Sequence, residues 1–249
     1  MVTDRLTRAV REQLALGRLL PLGGPGDASW VVEQAARNVL RRVESEVPGA
    51  RLGSLRIGLA DPEHAARPTV PAPVSALPPG PLRIGATCVA VAGQPLPAVA
   101  RELRAGLHAC ATRRLGLVVD AIDLRVTELL EELPPAPGLS SPPGAAGAPE
   151  VPPSAKEPEF PPAVVALAAA ARGVPGVVAL APVLGGAARA VRVEDRTDAR
   201  GAPIGRHVEV QLAVAGDHGA LEVARAVRAA VARTVAAPVT VAVVVTDVT

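Results

Sequence analysis

The chain predicts an α+β fold of two tandem small domains, each running helix–strand–strand–helix–strand, with a mixed sheet and its helices on one face. Three observations carry this. The hexapeptide VARELR at residues 99–104 returns, nearly unchanged, as VARAVR at residues 223–228. Four further matches keep the same order: Val47-Pro48-Gly49 with Val174-Pro175-Gly176, LRI at 55–57 with VRV at 191–193, AVAG at 90–93 with AVAG at 213–216, and VTEL at 126–129 with VTDV at 245–248. Their separations drift, as insertions in loops would make them drift, so the pattern reads as a tandem duplication. Third, a Pro-rich stretch lies between the copies.

Residues 1–25 read as an amphipathic helix and a Gly-rich linker. The helix covers residues 3–20, capped by Thr3, with Leu6, Val10, Leu14 and Leu19 on one stripe. That stripe has to dock on its own chain, on a partner or on a membrane surface, because isolated short helices are marginal.

Residues 26–130 form the first copy. A helix is expected over 30–46, with Asp27 or Ser29 as its N-cap. Strands follow around Leu55 and over 86–91. The second helix opens with Pro97 in its first turn, where a missing N–H is harmless. Its apolar positions Val99, Leu103, Leu107 and Cys110 make one buried stripe. The last strand alternates Ile122, Leu124 and Val126 with Asp123, Arg125 and Thr127. A strand–helix–strand crossover implies a parallel pair, so the preceding strand joins antiparallel.

Residues 131–159 hold nine prolines, few large apolar side chains, and five glutamates against Lys156, the only lysine. Such a segment cannot bury enough surface to fold and reads as a disordered, acidic, extended linker. Residues 160–249 are the second copy. Its apolar stretch at 163–188 is broken by Arg172, Pro175, Gly176 and Pro182, which favours a buried helix and strand over a bilayer span.

Composition narrows the function classes. With 27 Pro, 23 Gly, one Trp, one Phe and no Tyr, the chain has the bias of a GC-rich genome. A net charge of +2 is too small to imply a polyanionic partner by itself. The charged amino terminus lacks the apolar core of a secretion signal. Cys88 and Cys110 lack C-x-x-C spacing and read as reduced, buried thiols in the cytoplasm.

The order of motifs resembles the alkaline-shock protein family of bacterial cell-envelope stress proteins. The residues that carry the likeness are the Val-Pro-Gly turn, the strand ending in Gly, the VARxxR helix and the terminal VT[ED][LV] strand. It covers residues 30–130 and, more loosely, 160–249. The chain departs from the family in holding two copies. The resemblance implies a tandem-duplicated actinobacterial member, a non-enzymatic scaffold at or near the membrane and linked to envelope stress, with no catalytic residues to carry over. Proteins of this type are sometimes labelled after a nucleopolyhedrovirus fibre protein, a label that no heptad repeat or basic tail in this chain supports.

No motif specifies a reaction, a cofactor, a metal or a small-molecule substrate. GGPGDAS at 23–29 lacks the preceding strand and the Lys-Ser/Thr of a phosphate loop. His64, His108, His207 and His218 share no ligand spacing, and His218 beside Asp217 reads as a helix cap. Arg101 and Arg104, with Arg225 and Arg228, form ridges on equivalent helices. They could meet nucleic acid, the alternative function, or an anionic lipid or acidic protein segment; the lack of aromatic side chains beside them disfavours single strands. The final strand offers a different surface. Where the first copy has Asp123 and Arg125, the second has Ala242 and Val244, so it is apolar on both faces. This back face, covered by the first domain, the amino-terminal helix, a second copy or a foreign partner, is the expected association surface. Val244→Glu should then disrupt assembly and leave the fold intact.

Overall fold

A computed structural model describes residues 17–133, 161–182, 190–197, 202–235 and 238–249. The expected amino-terminal helix, up to residue 16, and the expected linker, from residue 134, lie outside the described residues. The fold is α+β. The first half runs β1 (Leu19–Leu22), β2 (Ser29–Val32), α1 (Glu33–Arg41) with a 3₁₀ turn at Arg42–Ser45, β3 (Ala50–Leu59), β4 (Leu82–Val91), α2 (Leu96–Ala109) with a π turn at Cys110–Leu115, and β5 (Val119–Leu130). The second half runs α3 (Pro162–Arg172), β6 (Val177–Leu180), β7 (Val191–Thr197), β8 (Pro203–Val214), α4 (Ala220–Thr234) and β9 (Val239–Val248).

The two halves repeat one topology. β3 is antiparallel to β4, and β4 is parallel to β5. In the second half β8 takes the place of β4, antiparallel to β6 and β7 on one side and parallel to β9 on the other. β6 and β7 together stand where β3 stands. β3 bulges between Leu52 and Leu55, and the second copy opens at that same point, leaving β6 at Leu180 and re-entering in β7 at Val191. The Gln211 backbone grips both ends of the opening. It accepts the Ala181 N–H at 3.2 Å and donates to the Ala190 carbonyl at 2.7 Å.

Two of the repeated motifs have a backbone task. In VTEL and VTDV the threonine is the bulged residue. Pairing passes from Cys88↔Val126 to Val89↔Glu128 in one copy and from Leu212↔Val245 to Ala213↔Asp247 in the other. The Thr127 hydroxyl donates to the Cys88 carbonyl at 3.2 Å, and the Thr246 hydroxyl to the Leu212 carbonyl at 3.1 Å. In the Val-Pro-Gly turns, Gly49 and Gly176 have φ of 103° and 87°, where a Cβ is strained. Their carbonyls accept the N–H of Val91 and of Ala215, each at 2.9 Å. These matches set the true register. They align Val91 with Ala215, so the literal AVAG identity is one residue out of step. The AVAG offset would set Cys88 against Gln211, on the face away from the helices; in the true register it corresponds to Leu212 and is buried. Both thiols are buried and free.

The amino-terminal segment departs from expectation. Residues 29–32 are a strand, and the helix expected over 30–46 begins only at Glu33. Ser-Trp-Val-Val pairs parallel to the far edge of β9, Ser29↔Val243, Trp30↔Val244 and Val31↔Val245. β1 adds antiparallel outside β2, so Leu19, expected on a helix stripe, is buried in a sheet. The second sheet is therefore β1-β2-β9-β8-β6, with β7 also on β8, and it draws two strands from before the first copy's helices. A boundary at residue 25 between linker and first domain does not hold. Neither expected cap holds either: Val32 is the N-cap of α1 with no side-chain bond, Ser29 donates to the Asp27 carbonyl, and Asp27 turns to α4.

This β1–β2 hairpin is tied at every side. Arg225 on α4 donates to both Asp27 carboxylate oxygens, at 2.7 and 3.0 Å, and Arg228 donates to the Gly26 carbonyl at 2.9 Å. The Gly23 N–H donates to the Gly116 carbonyl at 2.8 Å. Behind β1, residues of the β3–β4 loop add a short parallel bridge, Leu19↔Ala76, and the Trp30 indole donates to the Leu77 carbonyl at 3.2 Å.

The Asp27–Arg225 pair is testable because Trp30, the only tryptophan, reports on the hairpin from a fully buried position. Asp27→Ala and Arg225→Ala should each lower stability by about 0.5–1 kcal/mol, with less than additive loss when combined. The hydrogen bond from Arg225 holds the Asp27 carboxyl below the usual carboxylate range. Its contribution is thus complete above about pH 4 and lost as pH falls through the lowered value. An acid-induced red shift of Trp30 emission in the native chain, shifted or absent in Asp27→Ala, is the expected record.

Candidate interaction edge

α2 starts with Pro97 in its first turn and buries Val99, Leu103 and Leu107. Arg101 and Arg104 therefore lie off the buried stripe. Arg104 folds back and donates from Nε to the Ile122 carbonyl on β5 at 3.3 Å. Arg228 makes the same bond to the Val241 carbonyl on β9, at 3.2 Å. The second arginine of VARxxR thus staples the helix to the final strand in both copies. Arg225 is engaged by Asp27, and burial lowers the Arg228 pKa. Of the expected basic ridges, Arg101 and Arg104 stay exposed on α2 without an ion pair among the described residues, whereas Arg225 is paired with Asp27 and Arg228 is half-buried.

The expected apolar surface on the second copy is also withdrawn. Ala242 and Val244 are each 0% exposed. Val244 is flanked by Trp30 on β2 and by Gln211 on β8, so the strand is apolar on both faces because it is central and covered on both. Substituting a charge there strikes the core.

The open surface lies on the other copy. β5 pairs with β4 alone among the described residues, whereas the equivalent edge of β9 is filled by β2. Counterpart by counterpart, exposure diverges. Val126 is 38% exposed and Leu129 53%, against 0% for Val245 and 2% for Val248. Asp123 and Arg125 are exposed on the face away from the helices, with Arg83 3.6 Å from Asp123. The free backbone groups can be assigned from the filled edge. The Val243 N–H donates outward to the Ala28 carbonyl at 3.1 Å, so its counterpart Leu124, and Val126 two residues on, point theirs away from β4.

Other polar groups are absorbed into the structure. His64 pairs with Asp61 and His218 with Asp217, each at 2.7 Å, and α4 is capped by Gly219 with no side-chain bond. His207 is buried against the Thr240 hydroxyl at 2.9 Å, and burial lowers its pKa. Burial pushes the pKa of both thiols up, which favours the protonated form. Among the described residues no three His, Cys, Asp or Glu side chains converge as a metal would require. A cleft of about 610 Å³ lies where the two halves meet, but two of its arginines are bonded across the seam, Arg42 to Val248 at 3.1 Å and Arg114 to Gly216 at 3.3 Å. No described helix is long and apolar enough to cross a membrane.

Compared with models of known families, with curated proteins and with solved structures, the chain finds no match.

The reassignment of the two final strands is checked by paired substitutions. Val244→Glu should cost more than about 3 kcal/mol or prevent folding, because it buries an unpaired charge. Arg125→Glu, at the exposed counterpart, should stay within about 0.5 kcal/mol of the native chain. Urea unfolding of both variants measures the contrast.

Proposed function

We propose that the protein is a non-enzymatic scaffold that holds an extended segment as an added strand on the β5 edge. One observation carries this reading: the same edge in the second copy is occupied by a strand, β2, and in the first copy it is vacant among the described residues. Strand addition draws its affinity from backbone hydrogen bonds and its selectivity from alternate side chains. The outward groups of Leu124 and Val126 supply the first, and exposed Val126 and Leu129 the second. The alkaline-shock resemblance supports placing such a scaffold in the cytoplasm at the cell envelope, in peripheral contact with membrane or anionic lipid. The nucleic-acid alternative keeps Arg101 and Arg104 on α2 but loses the second ridge, where Arg225 is paired with Asp27 and Arg228 is half-buried, and is not preferred.

Strand addition can be tested on the full chain with a dye-labelled peptide of residues 26–33, the segment that fills the equivalent edge. Its anisotropy should rise on the native protein. Val126→Pro deletes an outward N–H and spares the ladder to β4, so it should weaken binding by about tenfold. Absence of binding, or equal binding by Val126→Pro, overturns the reading.

A further inference from the structure

The chemistry of the β5 edge also selects an occupant. Resting on the strand-docking reading above, we infer that the edge pairs with the β5 edge of a second copy of this chain, antiparallel, across a two-fold axis at Leu124.

The axis follows from side-chain order. Leu124 and Val126 direct backbone groups outward, as does Ile122 by the same alternation. An axis at Leu124 makes Leu124 face its own copy as a hydrogen-bonded pair and sets Ile122 opposite Val126. Between them, Asp123 of each copy falls opposite Arg125 of the other, twice, at the close non-hydrogen-bonded spacing. Other axes fail. One at Asp123 stacks carboxylate on carboxylate, and one at Arg125 stacks guanidinium on guanidinium. An axis at Ile122 or Val126 sets Asp123 opposite Ala121 or Arg125 opposite Thr127, with no charge match. The bulge at Thr127 ends the regular ladder, so Asp120 and Glu128 fall outside the paired core.

The apolar side agrees. In the second copy Val31 sits beside Val245 and the valine is fully buried. In the dimer Ile122 of the other chain takes the place beside Val126 that Val31 takes beside Val245. The Ile122 carbonyl, which accepts from Arg104, has a second lone pair for the Val126 N–H of the other chain, and the pairing ends there. Two three-stranded sheets would then run as one continuous six-stranded sheet, with the charged face of each β5 neutralised by the other.

The experiment is sedimentation velocity on the full chain over a concentration series. The native protein should dimerise. Asp123→Arg and Arg125→Asp should each weaken the dimer at least about tenfold, since each replaces two attractive cross-strand pairs with repulsive ones. An equimolar mixture of the two variants should dimerise again, because an edge carrying two arginines then meets an edge carrying two aspartates. Both sites are exposed, and unchanged thermal melts establish that the variants fold. A native chain that stays monomeric while the labelled peptide binds removes self-pairing and leaves strand docking intact. A dimer indifferent to both substitutions, or a mixture that fails to associate, overturns the Leu124 axis. Loss of both dimer and peptide binding overturns the docking reading itself.

Discussion

The structure depends on the pairing of β2 with β9. A strand carrying Val241, Ala242, Val243, Val244 and Val245 in succession cannot lie at a sheet edge in water, because it offers apolar side chains to both faces and open backbone groups to one side. β8 closes one side. The other is closed by three residues from more than 200 positions earlier, Ser29, Trp30 and Val31. Once that pairing exists, much else is constrained. Asp27 is delivered to Arg225, Gly26 to Arg228, and Trp30 to the Leu77 carbonyl of a loop that belongs to the first copy's sheet. The two halves are thereby joined through backbone pairing and not only through side-chain contact.

Much of this was legible in the sequence where the signal is local. The VARxxR period gave the right stripe, Val99, Leu103 and Leu107, because helix burial repeats every three to four residues. The Val-Pro-Gly and Val-Thr-acid motifs marked equivalent points because one needs a left-handed backbone and the other a bulge with its own hydroxyl bond. What was missed is non-local. Ser-Trp-Val-Val is too short to show a strand period and runs without a break into Glu33, so it reads as the first turn of a helix. Only its parallel partner makes it a strand, and no pattern within the segment reports a partner that far along the chain. The AVAG identity misled in a related way, since a match of small residues carries less register information than Gly49 and Gly176 bonding to the next strand.

The arginines show the same limit. Exposed positions on an amphipathic helix invite a reading as a ligand ridge, yet Arg104 and Arg228 serve the fold, each capping an outward carbonyl at the same place on the final strand. That use explains why the second arginine appears in both copies. The first arginine of each motif has diverged in task. Arg225 holds a hairpin that the first copy lacks, and Arg101 has no such hairpin to hold.

The duplicated strands then argue about surfaces from their composition. β9 has no polar alternation, which calls for a cover on its second face; the chain itself encloses that face, so it is not free to associate. β5 kept Asp123 and Arg125 on its solvent side, which looked like an ordinary wetted face, and it is the strand with an open edge. A long edge strand is normally guarded by charge, bulge or cover. β5 has the charge and the bulge, but its charges are of opposite sign two residues apart, a spacing that repels a uniform partner less than it matches its own reverse. Guarding and, in the proposed dimer, self-recognition thus fall to the same two residues. The apolar strand takes its neighbour from within the chain, and the polar one, on the proposal above, takes it from a second chain.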